Sequence, residues 1–530
     1  KLGNYKREFG FLGRIAAITV ILVSSIMFGS CEKYLDIDQY VYDQTTLDSI
    51  FLSRSRTEQY INGAAALLPD ESILMNGWGA ASTLPSGLGS DEAIVPFVTN
   101  GNAILYDEVK ETNSWFNPWP ECYKGIRKAN IVLENISKNQ ELTEMEMRDF
   151  KGRAYFLRAY FYFYLVRLYG PVVVLPDRPF DTDEDVASVS LERSTYDECV
   201  EKICADFEEA AKLLPASRID ALQYIPTKGA ALAFKARMQL YAASPLFNGN
   251  SYYSDWKDSE GRNFIAQTED KVKWGKAAAT FKRIIDMNKY AIHTVPKIVN
   301  EKGTGTLPLP ETVSDANFPD GAGGIDPYKS YKTLFDGTYQ PELVKEYIYF
   351  SKNNGNYILV TPSKLGGISS FSVTLDMIDE YRMADGRPFS EATQAEKSWQ
   401  AVGQDETFSS DYLLSGKRAH RDDGREPRFY AAIGFNACIW PTTSHRDGLS
   451  AGTRNYVTDY YYGGSASDMN NNDNRTRTGY TCRKYVHQDD CIFWNGVVKA
   501  KTYPIFRYAE VLLGYVEAMN EMEGSYTDED

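Results

Sequence analysis

Residues 150–171 read FKGRAYFLRAYFYFYLVRLYGP, and the spacing of their side chains decides the fold. Phe150, Ala154, Leu157, Phe161, Tyr164 and Leu168 advance by three or four positions, which places them on one helix face. Gly170-Pro171 ends the run, because proline cannot continue a helix. The same period extends to both sides. Upstream, Trp119, Tyr123, Ile126, Asn130, Leu133 and Ile136 form a stripe in which only Asn130 is polar, so its amide is expected to be buried and hydrogen-bonded. Downstream, Thr195-Tyr196-Asp197-Glu198 is a capping box that opens a helix with Val200, Ile203, Phe207, Ala211 and Leu214 inward, stopped by Pro215. Thr227 caps another helix through Ala231, Phe234, Met238 and Tyr241 to Ser244-Pro245. Trp274, Ala277, Phe281 and Ile284 mark a fifth, and Tyr508, Val511, Leu512, Tyr515 and Met519 a sixth.

A faint internal repeat joins these helices. Gly152-Arg153-Ala154 leading to Arg158-Ala159 and Tyr164 matches Gly229-Ala230-Ala231 leading to Lys235-Ala236 and Tyr241, 77 residues further on. The offset fits two helix hairpins of the tetratricopeptide kind, ~34 residues each, plus insertions. Small residues at Gly152, Ala154, Gly229, Ala231 and Ala236 allow paired helices to approach closely. The expected fold is mainly α: a tetratricopeptide-like helix-hairpin array with long variable loops and minor β. The loops are 70–114, 290–345 and 440–480, rich in Gly, Pro, Asn and Ser or strongly polar. Long irregular segments in a compact protein are usually functional, so these are the expected ligand-binding insertions. Alternating runs at Tyr347–Val360 and Phe429–Trp440 are expected as strands of a small subordinate sheet.

The chain opens with a basic lead (Lys1, Lys6, Arg7, Arg14), an apolar run from Ile15 to Phe28, and then Gly29-Ser30-Cys31 before a polar stretch. About 14 apolar residues are too few to cross a hydrocarbon core of ~30 Å as a helix but suit a signal peptide. A cysteine just behind small residues is what bacterial lipoprotein processing needs, since its thiol receives the diacylglycerol. Residues 1–30 are therefore expected to be a lipoprotein signal peptide and Cys31 the lipidated first residue of the mature protein. At 530 residues, two lobes or an extended array are expected. The net charge is −15, so nucleic acid and anionic membrane surfaces are poor partners, and attachment to a bilayer would come from acyl chains.

Catalytic and metal signatures are sparse. The four histidines, His293, His420, His445 and His487, have no ligand at metalloprotease spacing, and neither a Gly-x-Ser-x-Gly elbow nor a phosphate loop occurs. Cys482, His487 and Cys491, with Asp489 or Asp490, superficially resemble a zinc set, but a hairpin that happens to contain them is favoured. Cys482 and Cys491 flank a short polar turn and are candidates for a disulfide across it. Asp468-Met469-Asn470-Asn471-Asn472-Asp473 starts like a calcium loop but has Asp473 where glycine belongs and Gly479 where the closing glutamate belongs. No metal and no cofactor is expected, and no paired carboxylates stand out as a glycosidase set.

Several motifs converge on a known family. Trp119, Tyr123, Ile126 and Asn130, then Gly152-Arg153-Ala154-Tyr155-Phe156-Leu157-Arg158-Ala159 with Tyr169-Gly170-Pro171, resemble the signature of the SusD/RagB family of Bacteroidetes outer-membrane lipoproteins. Further matches are Pro226-Thr227-Lys228-Gly229-Ala230-Ala231, Glu426-Pro427-Arg428-Phe429, Thr478-Gly479-Tyr480 with Arg483-Lys484, and Arg507-Tyr508-Ala509-Glu510-Val511-Leu512-Leu513. The resemblance covers essentially the whole chain, making residues 31–530 one SusD-like domain. It implies a right-handed array of tetratricopeptide-like helix pairs. It also implies a role as the surface lid of a SusC-type TonB-dependent transporter, capturing glycans or, in some members, peptides. Lys1 in place of methionine leads to the expectation of an incomplete gene product, and the family's further packed residues after the Arg-Tyr-Ala-Glu helix lead to the expectation of a truncated carboxyl end.

Sugars offer C–H faces that stack on aromatic rings, and hydroxyls that pair with amides, carboxylates and guanidinium groups. Loop aromatics not needed by a helix stripe are therefore the candidates. Trp78 sits between glycines beside Asn76; Tyr328, Tyr331 and Tyr339 lie in the second insertion; Trp440, Tyr460, Tyr461 and Tyr462 lie at the third. Asn76, Trp78, Tyr328, Tyr331, Trp440 and Tyr461 form the expected ligand-binding set. The reading is a non-enzymatic, lipid-anchored cell-surface protein that binds an oligosaccharide and passes it to a transporter barrel in the outer membrane. Peptide capture, a surface glycoside hydrolase and an assembly scaffold are the alternatives.

Overall fold

A computed structural model describes residues 47–71, 90–95, 117–180, 184–296, 325–336, 344–353, 357–409, 412–441, 455–466, 474–487, 490, 492 and 498–523. The helices in chain order are α1 (Leu47–Leu52), α2 (Arg54–Ala65), α3 (Trp119–Asn135), α4 (Glu144–Tyr169), α5 (Val186–Val189), α6 (Tyr196–Leu213), α7 (Lys228–Ala243), α8 (Val272–Ile285), α9 (Pro327–Asp336), α10 (Leu375–Glu380), α11 (Pro427–Ala432) and α12 (Tyr508–Glu523). The stripes read from the sequence fall on helices except at two ends: Ile136 lies on a 3-10 turn after α3, and Leu214 is the extended residue that follows α6.

Local chemistry sets the helix ends. Thr143 and Thr195 each accept the N–H of the glutamate three residues on and are capped in return by that glutamate, opening α4 and α6. Thr227 caps α7 through the N–H of Ala230. Gly170, at φ +67°, closes α4 in a conformation that a side chain would strain.

Consecutive long helices stack in order: α3 on α4, α4 on α6, α6 on α7, α7 on α8, and α8 on α12. The two matching motifs sit on α4 and α7, two long helices apart in this stack, which is one helix pair. The 77-residue offset is one repeat step lengthened by the connection after Gly170, not the two steps read from the sequence.

The central helix α4 is buried on nearly every face from Gly152 to Val166, with Tyr155 half-buried. That explains why apolar and aromatic residues fill it beyond a single stripe. Close approach is built in at Gly125 of α3, where an added Cβ would lie 2.2 Å from the Phe161 ring, and at Gly514 of α12, where it would lie 2.5 Å from the Phe281 ring. Each glycine is the socket for a neighbour's phenyl ring.

The chain leaves the array after α8, builds a second lobe, and returns through the strand that runs directly into α12. Strands are short and pair two by two among the described residues. They are β1 (Ala93–Ile94) with β3 (Ser372–Val373), β2 (Tyr347–Asn353) with β10 (Lys501–Arg507), β4 (Glu406–Ser409) with β5 (Tyr412–Leu414), β6 (Ile433–Gly434) with β9 (Thr481–Cys482), and β7 (Ile439–Pro441) with β8 (Asn455–Val457). The β2/β10 ribbon is antiparallel from Lys501↔Asn353 to Arg507↔Tyr347, with an irregularity after Pro504. It is the wall between two cores. Ile348, Tyr349, Ile505 and Phe506 pack into the helical core, while Tyr347, Phe350 and Tyr503 pack into the second, aromatic one.

Three expectations about the second lobe are corrected. The 290–345 segment contains a helix, α9, whose start is set by Pro327 at the first position and by the Asp326 carboxylate accepting the Lys329 N–H at 2.9 Å. The run from Tyr347 is a strand over the described residues to Asn353, but residues 357–361 turn, with the Val360 and Thr361 N–H groups donating to the Tyr357 carbonyl. Residues 427–432 are helical, because Pro427 opens a turn of helix after Glu426, and only Ile433–Gly434 and Ile439–Pro441 are strands.

Candidate ligand-binding site

Of the three insertions, the described part of the third carries two neighbouring aromatic residues that reach solvent. β7 and β8 pair through Ile439↔Val457, Trp440↔Tyr456 and Pro441↔Asn455. Past the end of this ladder the Ala437 N–H donates to the Thr458 carbonyl (2.7 Å), and the Thr458 N–H returns a bond to the Cys438 carbonyl (3.0 Å). The chain then enters a tight turn, Asp459–Ala466. The Tyr460 N–H donates to the Asn436 side chain (2.9 Å), the Gly464 N–H to the Tyr461 carbonyl (2.8 Å), and the Ala466 N–H to the Asp459 carbonyl (3.1 Å). Ser465 Oγ accepts the Asp459 N–H (3.1 Å) and donates to Asp459 Oδ2 (3.2 Å). Ser363 Oγ donates to the Ala466 carbonyl (3.2 Å), pinning the turn from outside.

This clamp sorts three consecutive tyrosines. Tyr460 is buried, whereas Tyr461 and Tyr462 are 60% and 70% exposed. The Arg475 guanidinium lies 4.8 Å from the centre of the Tyr462 ring. Two adjacent exposed phenol rings beside a guanidinium offer stacking faces together with hydrogen-bond donors.

Beneath the turn lies a buried column. The Arg483 guanidinium sits 5.3 Å from the Trp440 ring and 4.7 Å from the Tyr412 ring, and donates to the Tyr412 hydroxyl at 2.5 Å. Tyr412 in turn stacks on Tyr328, with centroids 5.2 Å apart and planes at 14°. Two sequence candidates are thus core residues: Tyr328 is 1% and Trp440 3% exposed. Tyr328 faces inward because it belongs to the buried stripe of α9 with Leu334 and Phe335, and Trp440 because the β7/β8 ladder turns it onto Arg483. Tyr331, on the flank of α9, is half-buried against Phe335. Tyr461 is the candidate that reaches solvent; Tyr462 extends it, and Arg475 went unread because nothing in its local sequence points to the turn.

Cys31, Asn76, Trp78, Tyr339, His445, Asp489, Cys491 and residues 467–473 lie outside the described residues. Cys482 is a half-buried thiol. Asp490, a possible fourth ligand in the sequence reading, holds the buried Lys501 ammonium through both oxygens (2.9 and 2.7 Å). Among the described residues no three His, Cys, Asp or Glu side chains gather as metal ligands. A groove of about 850 Å³ in the helical body, between α2, α4 and residues 213–225, is lined by Arg54, Met145, Phe150, Arg153, Leu214 and Arg218. Its one ring, Phe150, is 4% exposed and offers no stacking face.

Comparison with known proteins fits this architecture. Residues 33–240 match a family model described as "Starch-binding associating with outer membrane", and residues 333–528 match the model described as "SusD family". The chain belongs to the SusD/RagB family. A relative, SusD-like protein P2 of Formosa agariphila, is 28% identical over 203 residues, 36% of this chain and 37% of that protein. The chain thus spans only about a third of the length of this curated SusD-like relative. Among solved structures, a SusD-like protein from Bacteroides fragilis superposes with a TM-score of 0.61 at 21% identity, covering 91% of this chain and 78% of that one. A SusD-like carbohydrate-binding protein from the same species gives 0.58 at 20%, covering 91% and 77%. Both likenesses establish the SusD-like fold. Among the described residues no helix is long and apolar enough to cross a membrane.

Proposed function

We propose that this SusD/RagB protein is a non-enzymatic glycan-capture lipoprotein of the cell surface. It is anchored to the outer membrane through Cys31 and hands oligosaccharides to a SusC-type TonB-dependent transporter. The observation that carries the reading is the Tyr461–Tyr462 turn: two neighbouring phenol rings held out by a hydrogen-bonded frame, with Arg475 alongside. Exposed rings on a rigid frame stack on sugar C–H faces without first paying an ordering entropy, and the guanidinium supplies donors to ring hydroxyls. The family's description as starch-binding and outer-membrane-associated, and the carbohydrate-binding relative of like fold, support the same substrate class. Trp78 with Asn76, and Tyr331, are proposed as further contacts. A shallow site of this kind retains ligand once the transporter mouth closes against it.

The test is titration of the full chain in detergent against soluble starch, laminarin, xylan and pectin, with a peptide mixture in parallel. Glycan binding that weakens in a Tyr461→Ala/Tyr462→Ala variant supports the reading. Peptide binding with no glycan binding replaces it with a peptide-capture lid.

A further inference from the structure

A second exposed ring stands on a different segment, at the end of a buried chain of alternating aromatic and guanidinium groups. Phe429 of α11 is fully buried, and the Arg425 guanidinium lies 4.9 Å from its ring centre. Arg425 is also 4.2 Å from the Phe389 ring, and the Arg421 guanidinium is 5.3 Å from the same ring. Arg421 then lies 4.3 Å from the ring of Trp399. Phe429, Phe389, Arg425 and Arg421 are all buried; Trp399 is 62% exposed.

The chain of contacts is held rigidly. Arg425 donates to the carbonyls of Ile378 (2.6 Å), Tyr381 (2.7 Å) and Arg421 (2.9 Å), and Arg421 Nη2 donates to Asp379 Oδ1 (2.7 Å). The backbone on both sides of Trp399 is fixed as well: the Arg421 N–H donates to the Ser398 carbonyl and the His420 N–H to the Gln400 carbonyl, both at 3.0 Å. Directly behind them, buried Arg418 bridges Glu406 and Asp423. Little of this frame is regular secondary structure, yet the indole has almost no freedom in where its backbone sits. With 62% of its surface in solvent, the indole keeps one face open while Arg421 holds the other.

We infer that Trp399 is a second sugar-stacking platform, independent of the Tyr461–Tyr462 turn, with Arg421 as its positioning residue. This rests on the glycan-binding reading above. The chemistry selects a neutral ring. A cation on the outer face would feel the charge of Arg421 through the indole, whereas the C–H face of a pyranose meets an apolar plate. The Gln400 side chain, exposed next to it, supplies an amide for a hydroxyl. A polysaccharide then has two separate stacking surfaces to engage.

Affinity electrophoresis of the full chain in gels containing soluble starch, laminarin, xylan or pectin tests this, with indole fluorescence as a second readout. In Trp399→Ala, retention by the polymer that holds the wild type falls roughly three- to tenfold, the range for one lost aromatic contact. Trp399→Tyr keeps most of the retention, the thermal midpoint is unmoved because the ring is exposed, and the fluorescence change on binding shrinks. Retention of Trp399→Ala equal to wild type, on a polymer that Tyr461→Ala/Tyr462→Ala no longer binds, overturns the second platform and leaves the glycan reading standing. No retention of the wild type on any polymer removes both. Intact polymer binding by Trp399→Ala together with lost co-purification of a transporter assigns the ring to a protein interface and overturns the inference.

Discussion

Arg158 and Asp206 face each other across α4 and α6 through two parallel hydrogen bonds, Nε to Oδ2 at 2.7 Å and Nη2 to Oδ1 at 2.6 Å. Both side chains are almost fully buried, at 3% and 4% exposure. The third arm, Nη1, donates to Asn130 Oδ1 of α3 at 2.7 Å, and the Asn130 amide donates to the carbonyls of Pro176 and Arg178. One guanidinium thus ties three helices and the loop after α4. Asp206→Ala leaves that guanidinium buried, with Asn130 as a neutral acceptor and the exposed Asp177 as its remaining charge partner, and breaking a buried pair from one side costs about 3–5 kcal/mol. Urea unfolding should show a loss of that order. The double change Arg158→Met/Asp206→Leu should lose much less, and equal losses in the two variants would refute the pairing account.

Gly125 and Phe161 make a second, purely steric prediction. With a Cβ only 2.2 Å from a ring that is itself fully buried, Gly125→Ala cannot be accommodated without moving α3 away from α4. Overpacking of this kind costs about 1–3 kcal/mol. Adding Phe161→Leu should return part of the loss, so a double-mutant cycle with no coupling energy would rule the contact out as the cause.

Asp422 gives stability a pH dependence of known sign. Burial lifts its carboxyl from 3.8 to about 6, against the pull of the Tyr480 hydroxyl, which donates to Oδ1 at 2.7 Å, and of Arg421 and Arg425. Well below the unfolded value of 3.8 the group is neutral in folded and unfolded chains alike. Above about 6 it is charged in both, and the folded state carries the cost of a buried charge. This group therefore makes the protein less stable as pH rises from about 4 to about 6, by up to about 3 kcal/mol. Asp422→Asn keeps an acceptor for Tyr480 and removes the step. The gap in urea midpoint between variant and wild type should open across that window, and a gap constant with pH would count against it.

Much of the helical array is legible in the sequence because α3, α4, α6, α7, α8 and α12 each bury a stripe at helical spacing and several carry explicit caps. Asn130 announced itself as the one polar residue in an apolar stripe, and it does make buried bonds. Asp206, which shares the Arg158 guanidinium with it, did not, since one aspartate on an acidic helix carries no local mark. The second lobe is less readable for a physical reason. Apart from the β2/β10 ribbon and α9, its core is assembled from very short strands, tight turns and short helices that have no period, and α9 is embedded in a Gly- and Pro-rich stretch, so a buried ring such as Trp440 or Tyr328 looks like a loop ring. The Tyr460–Tyr462 run shows the limit: three identical neighbours are sorted into one buried and two exposed by a backbone frame that no pattern of residue types reveals. Trp399 was missed because its supporting guanidinium comes from 22 positions further along.

That frame can be tested without touching a ring. Gly464 lies so close to Asp459 that an added Cβ would meet the Asp459 carbonyl oxygen at 2.2 Å, and the N–H of Gly464 closes the turn on Tyr461. Gly463 beside it has φ +81°, a conformation that favours glycine. Gly464→Ala must therefore open the turn and release the two phenol rings from their fixed directions. Because the turn is at the surface, the thermal midpoint should change by no more than a few degrees. If Tyr461 and Tyr462 bind as a preorganised pair, glycan affinity should fall nearly as far in Gly464→Ala as in the double tyrosine variant, since an unfixed ring pays an ordering entropy of about 0.5–1.5 kcal/mol each on binding. Wild-type affinity in Gly464→Ala, measured by the same titration, would show that the rings act singly and that the frame is irrelevant to recognition.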